Sequence, residues 1–184
     1  MHFLVLSGSF HKNSYTLRIA EVVKKHLAAH RCDVPSLQTL PFYTQDLATD
    51  KPENIKRLLQ AVSACDAIIC VTPEYNHSIP AVLKNALDWA SRPAFKSPLK
   101  DKPVTVITQA DGSVGGVRAQ AHLKLVLDST LSVIFPSHEM MIASVSKVMN
   151  ANGAITDADT SRRLTRHLDE FAAFVEKRKQ ASQK

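Results

Sequence analysis

Short apolar, β-branched runs alternate along this chain with longer segments in which apolar residues recur at helical spacing. Five of these runs are predicted as strands, at 2–7, 32–38, 66–72, 104–108 and within 133–143. The helical patterns predict helices near 14–29, 53–63, 80–91, 116–130 and 157–178. Such alternation implies a parallel sheet with helices on both faces, and the strand order expected is 2-1-3-4-5.

Composition narrows the class of protein. The 184 residues are 45% hydrophobic and 22% charged, without repeat or linker, so one domain over 1–184 is expected. No run approaches the ~18 apolar residues of a membrane span, and the amino terminus enters strand-like sequence without a leader. Cys32, Cys65 and Cys70 lie in or beside apolar strand patterns and are predicted to be buried, reduced thiols. Together these features favour a cytoplasmic location.

The net charge of +6 raises the question of a polyanionic partner. Basic residues cluster only in the carboxy-terminal segment 177–184, and aromatic residues, at 6%, are not interleaved with them, which disfavours nucleic acid. This segment is predicted to be a solvated, frayed tail, with a polyanion surface as the alternative. The charge also favours anionic small ligands such as nucleotides.

A polar loop follows the first predicted strand. Gly8 permits a tight turn, and hydroxyls and amides gather where the first helix begins, as a phosphate monoester requires. The candidate donors are Ser9, Ser14, Thr16 and the amides around them, including that of Tyr15, with His11 or Lys12 as positive charge. Ordinary helix capping is the alternative interpretation. Neither G-x-x-x-x-G-K-[ST] nor G-x-G-x-x-G occurs, so a nucleoside-triphosphatase or dinucleotide loop is not indicated.

Two further loops follow predicted strands three and four. The first begins with Pro73-Glu74-Tyr75-Asn76 and leads into a helix that is expected to have Ser78 as its N-cap and Pro80 in its first turn. The second spans 109–116, and its glycines allow close approach of a flat ligand. With the order 2-1-3-4-5, the loops after strands one and three flank the switch point of the sheet, where ligands of open α/β sheets bind.

Residues 73–93 closely resemble the loop–helix signature of the NADPH-dependent FMN reductase family. The first loop is similar to that family's G-S-x-R-x-x-S-x-N, with Gly8, Ser9 and Ser14 matching, while His11 stands for the usual arginine and Thr16 for the usual asparagine. The resemblance implies a flavodoxin-like, doubly wound sheet with FMN at its carboxyl edge. Because histidine offers phosphate one donor whose charge depends on pH, weaker or pH-dependent FMN binding is expected.

The resemblance also implies which residues surround the flavin. The isoalloxazine ring would be lined by Pro73, Glu74, Tyr75 and Asn76 and bordered by Ala110 and Gly112. Family members use the position of Glu74 mainly for backbone contact, so its side chain is expected to be an exposed loop carboxylate. Tyr75 is expected either to wall the flavin pocket or to pack on a partner subunit.

The function implied is FMN-dependent oxidoreduction. NADPH or NADH would transfer hydride to flavin N5, and a quinone, azo dye, flavin or chromate-type acceptor would then receive two electrons. No catalytic side chain and no metal site are predicted, and a homodimer or tetramer would form through the helix within 78–93. Two alternatives remain open, a flavodoxin-type electron carrier and a flavin-poor family member that acts as an interaction protein.

Overall fold

The computed structural model describes residues 1–181, which are organised around one parallel sheet. Its strands are β1 (His2–Ser7), β2 (Arg31–Asp33), β3 (Ala67–Pro73), β4 (Pro103–Gln109), β5 (Val133–Ile134) and β6 (Met140–Ile142). The order is β2-β1-β3-β4-β5, with β6 also pairing with β4. The predicted doubly wound order 2-1-3-4-5 is confirmed.

Helices cover both faces of the sheet. They are α1 (Tyr15–His26), α2 (Glu53–Ala64), α3 (Ala81–Ala90), α4 (Val117–Ser129), α5 (Val145–Val148) and α6 (Ala158–Ala181). One core packs α1, α5 and α6 against strand residues such as Phe3 and Val5, and the other packs α2, α3 and α4 against Leu4 and Leu6. Successive strand residues therefore enter opposite cores, which explains why the central strands read as continuous apolar runs.

Two of the predicted strands are shorter than expected. The run 32–38 pairs only through Arg31–Asp33, and Pro35, which has no amide proton, follows at once. The fifth strand is divided into β5 and β6 around Pro136, and both pieces pair with β4. The short helix α5 and a 3-10 turn at Gln45–Leu47 were not predicted.

The start of α3 and the state of the carboxy-terminal segment differ from the sequence-based expectation. Helix α3 begins at Ala81 with Pro80 as its N-cap, because the backbone of Ser78 is hydrogen-bonded in both directions to Tyr75. Residues 177–181 are not frayed but continue α6, where Lys179 Nζ lies 3.0 Å from the carboxylate of Asp66. The remainder of the predicted tail, 182–184, lies outside the described residues.

The three cysteines are free thiols, and the prediction that they are reduced and buried is confirmed for two. Cys65 and Cys70 are buried, whereas Cys32 is half-buried. Burial raises the pKa of Cys32 and of Cys65 to about 11 and that of Cys70 to about 12, so all three stay protonated at neutral pH. Within residues 1–181 no helix has the length and apolarity that crossing a membrane requires.

Candidate functional site

Close contact between the ends of β1 and β3 brings the first two loops together. The amide of Gly8 donates to the carbonyl of Val71 at 2.8 Å. A Cβ atom at Gly8 would lie 2.3 Å from Thr72 Oγ1 and 2.8 Å from Thr72 Cβ. Glycine is therefore required here by the distance between the two strands.

Ser14 defines the start of α1. Its Oγ accepts hydrogen bonds from the amides of Thr16 at 3.1 Å and Leu17 at 3.4 Å, and its own amide donates to the carbonyl of His11 at 2.9 Å. Ser9 and Ser14 are both buried in the loop. Helix capping, the alternative interpretation of this loop, therefore applies to Ser14, and its hydroxyl proton can still be donated to a ligand, so a role in phosphate binding stays a prediction.

Several amides of this loop have no protein acceptor. In the described part of the chain, the N–H groups of Phe10, His11, Lys12 and Tyr15 have no hydrogen-bond partner. The ring of His11 accepts from the amide of Asn13 through Nδ1 at 3.2 Å, so a neutral His11 donates only through Nε2. Unused amides at a helix N-terminus suit a phosphate group, and this donor set therefore fits the phosphate of a mononucleotide such as FMN.

Thr16 occupies a different position from the other candidate donors. Its side chain is fully buried, and its Oγ1 accepts from Gln109 Nε2 at 3.0 Å. The hydroxyl thus links the start of α1 to the end of β4, and a role in phosphate binding stays a prediction. Gln109 was not singled out by sequence reasoning, because only the approach of β4 to α1 shows what its amide contacts.

The loop after β3 forms a tight turn at the carboxyl edge of the sheet. Tyr75 and Ser78 pair as an antiparallel bridge, with backbone bonds of 2.9 and 3.0 Å. Between them, Asn76 and His77 both have positive φ, 49° and 64°, as a two-residue type I′ turn requires. The side chain of Tyr75 is half exposed at this edge, which leaves open both roles expected for it.

Glu74 is not the exposed carboxylate that sequence reasoning expected. Its side chain is 12% exposed, and Oε2 accepts from the amides of Arg118 at 2.9 Å and Ala119 at 3.1 Å in the first turn of α4. The Arg118 guanidinium lies 3.7 Å from Oε1. A carboxylate at a helix N-terminus stabilises the helix, because it lies at the positive end of the helix dipole. Through this contact Glu74 links the loop after β3 to α4.

The loop after β4 combines a fixed base with an open tip. Gly116, with φ of 84°, precedes α4, and Thr108 Oγ1 donates to the carbonyl of Gly115 at 2.9 Å. Ala110 is bonded through its amide to the carbonyl of Ile142 at 3.1 Å. At Gly112, in contrast, an added Cβ would meet nothing within 4 Å, so a flat ligand has space there.

A second hydrogen bond ties this loop to α5. Asp111 Oδ1 accepts from the amide of Ser146 at 3.0 Å. The hydroxyl and the amide of Ser146 both lower the pKa of Asp111, which keeps it ionised at neutral pH. The carboxylate therefore holds the loop in place.

The three loops meet at one edge of the sheet. The candidate phosphate donors around Ser14 lie in the loop after β1, and the exposed apolar side chains Phe10, Tyr75 and Val114 come from the three different loops. A cavity of about 230 Å³ adjoins Ser9 and Phe10. An anion-binding end beside exposed apolar side chains matches the two halves of FMN, a phosphate and a planar ring.

A doubly wound parallel sheet with this phosphate loop at its switch point defines the protein as a flavodoxin-like α/β protein of the nucleotide-binding type. The sequence model of the NADPH-dependent FMN reductase family matches residues 1–147. The chain belongs to the NADPH-dependent FMN reductase family and is an oxidoreductase, with FMN as cofactor and NAD(P)H as co-substrate. The recognition of this family from two loops is confirmed.

Similar proteins match over nearly their full length. A 2-hydroxy-1,4-benzoquinone reductase from Burkholderia sp is 36% identical over 95% of this chain and 96% of its own. A quinone reductase from Escherichia coli K12 is 32% identical, with 96% of both chains covered. The solved structure of FerB, a flavoenzyme NAD(P)H:(acceptor) oxidoreductase from Paracoccus denitrificans, superimposes with a TM-score of 0.88 at 34% identity, covering 96% of this chain and 97% of that one.

Proposed function

We propose that this chain is an FMN-dependent reductase that draws electrons from NAD(P)H and delivers two of them to a quinone-type acceptor. The observation that carries the proposal is the set of unused amides beside Ser14, placed at the same sheet edge as the half-exposed ring of Tyr75. The relatives named as quinone reductases support the acceptor class.

Each loop has a separate part in this proposal. Ser9, Ser14 and the unused amides would hold the FMN phosphate, with His11 supplying charge when protonated. The turn 75–76 and the segment 110–112 would border the ring. FMN held by these residues would supply the hydride and electron-transfer chemistry between NAD(P)H and the acceptor. The chain binds and orients the reactants, and Glu74, which caps α4, is not assigned a role in proton transfer.

Visible absorption under anaerobic conditions tests this function. We expect the purified protein with FMN to show bands of bound flavin that bleach on addition of NADPH and return on addition of 1,4-benzoquinone. Bound flavin that stays oxidised with both NADPH and NADH would instead indicate an electron carrier that needs a separate reductase. Failure to bind FMN at any pH between 6 and 8 would contradict the reductase function and favour an interaction protein.

The proposal also includes the oligomeric state of the protein and its cellular compartment. We expect one FMN-binding domain that forms a homodimer or tetramer through 78–93, in the cytoplasm, where the three free thiols would stay reduced. Trp89 itself belongs to the subunit core, since it is fully buried and its Nε1 donates to the carbonyl of Pro41 at 2.8 Å. Phe95 lies just beyond this segment and is 77% exposed, so its ring is available to contact a partner subunit. Light scattering tests the assembly, and Phe95→Asp should lower the measured mass.

A further inference from the structure

A hydrogen-bonded contact joins the loop after β3 to the start of α4, beside the proposed flavin site. The carboxylate of Glu74 follows β3, and its two amide donors, Arg118 and Ala119, belong to the first turn of α4, 44 residues further along the chain. Hydrogen bonds to an ionised acceptor are about twice as strong as neutral ones. The position of the turn at 75–78 is thereby tied to the start of α4 and to the loop that precedes it.

We propose that Glu74 is a positioning residue for the flavin reaction, which sets the distance between the two loops bordering the ring. This inference rests on the proposed function, because it assigns the carboxylate a purpose only if FMN lies between those loops. Its side chain is 12% exposed, and Oε2 accepts both amides, so the carboxylate has little freedom to move without breaking the contact.

The contact has an electrostatic consequence as well as a geometric one. The positive end of α4 is directed at Glu74, so that end is already neutralised by a protein carboxylate. An uncharged side chain at this position would leave more positive potential beside the ring, which favours its reduced, more negative form. Glu74 therefore also lowers the reduction potential of the bound flavin.

Two variants separate geometry from charge. Glu74→Gln keeps an acceptor oxygen of the same reach but removes the charge, whereas Glu74→Ala removes both. Glu139→Gln is the matched control, because Glu139 forms a 2.7 Å ion pair with Lys124 on the surface and contacts neither loop. FMN affinity is measured by fluorescence quenching, loop order by amide hydrogen exchange in the FMN-free protein, and reduction potential by dye-linked titration of the FMN-loaded protein.

We expect Glu74→Ala to weaken FMN binding about tenfold, the size of a lost helix cap, and to accelerate exchange at Arg118 and Ala119. Glu74→Gln should weaken binding about threefold and shift the two-electron equilibrium about tenfold toward the reduced form, about 30 mV. The control should match the unaltered protein in all three measurements.

Each contrary result has its own meaning. If both variants bind FMN with unaltered affinity and potential, Glu74 only caps a helix and the inference is overturned, while the proposed function stands. If Glu74→Ala does not fold, the same two measurements on Glu74→Gln decide the question. If the unaltered protein binds no FMN, both the proposed function and this inference are wrong.

Discussion

The loops after β1 and β3 lie side by side at the switch point but are built in opposite ways. The first leaves the amides of Phe10, His11, Lys12 and Tyr15 without protein partners. The second is held by the two backbone bonds between Tyr75 and Ser78 and by the bonds that the Glu74 carboxylate accepts from two amides of α4. The first loop can therefore bind by donating hydrogen bonds, while the second contributes a preformed surface.

This difference predicts that the first loop tolerates sequence change better than the second. Exposed amides are solvated by water until a ligand replaces it, so the first loop needs few side chains in fixed places. The second loop holds Asn76 and His77 at positive φ, which is stable only while the surrounding hydrogen bonds hold. The replacement of the usual arginine by His11 falls in the more tolerant loop.

The largest effect is expected where the two loops touch. Gly8→Val should destabilise the protein by about 3 kcal/mol and abolish FMN binding, because even the first side-chain atom overlaps Thr72. Chemical denaturation and FMN titration measure both effects. Gly112→Ala is the control, since its Cβ meets open space, and its stability should be unchanged. Equal stability of the two variants would show that the strands can separate and that the loops are not rigidly joined.

A histidine buried in the core, away from both loops, should make the stability of the protein depend on pH. His167 is 6% exposed, its Nε2 lies 2.7 Å from Thr105 Oγ1, and burial, with a smaller contribution from Arg166, lowers its pKa to about 4. Its bond to the backbone of His138 partly opposes this shift. Between pH 6.5, the ordinary pKa of histidine, and pH 4, the unfolded chain binds a proton at His167 that the folded chain does not bind. The free energy of unfolding therefore falls as the pH falls through this range.

The expected loss for His167 is about 2 kcal/mol between pH 7.5 and pH 5. His167→Gln, which cannot titrate, should lack this part of the pH dependence in denaturation curves. FMN affinity in this variant should keep the pH dependence of the unaltered protein, because that dependence is expected to come from His11. A pH dependence of FMN binding that disappears in His167→Gln would instead place its origin in the core.

His11→Arg tests whether the first loop binds through added charge. We expect FMN affinity to rise about tenfold, or about 1.4 kcal/mol, because arginine presents a permanent two-donor fork to phosphate. His138→Arg makes the same change at an exposed site on another segment and should leave the affinity unaltered. No gain in His11→Arg would mean that the amides alone hold the phosphate.

The smallest effect is expected from the helix cap. Ser14→Ala should cost about 1 kcal/mol of stability, because the amides of Thr16 and Leu17 lose their acceptor, and FMN affinity should fall with it. Thr44→Ala removes a comparable cap from the 3-10 turn at Gln45–Leu47 and should alter stability alone. If both variants bind FMN equally well, the hydroxyl of Ser14 serves only the helix.

Much of the fold and part of the site could be predicted from local patterns. The apolar runs identified the principal strands and the helical spacing most of the helices, and their alternation predicted a parallel sheet, because parallel neighbours need a crossover. The order 2-1-3-4-5 was the default expectation for five such strands. Capping by Ser14 could be offered as an alternative from sequence because its partners are two and three residues away. Pro35 and Pro136 shortened strands in ways that an apolar pattern cannot show, since a missing amide matters only where a neighbour would pair with it.

The sequence by itself therefore determined the principal strands and helices, their succession along the chain and the chemistry available at the carboxyl edge, since each of these depends on residues close together in the chain. Only the tertiary structure decided what the side chains contact. Glu74 reaches amides 44 residues away, and Thr16 receives a hydrogen bond from Gln109, 93 residues away. These contacts arise because β1, β3 and β4 are neighbours in the sheet and end at the same edge, and that adjacency turns separate polar loops into one candidate site.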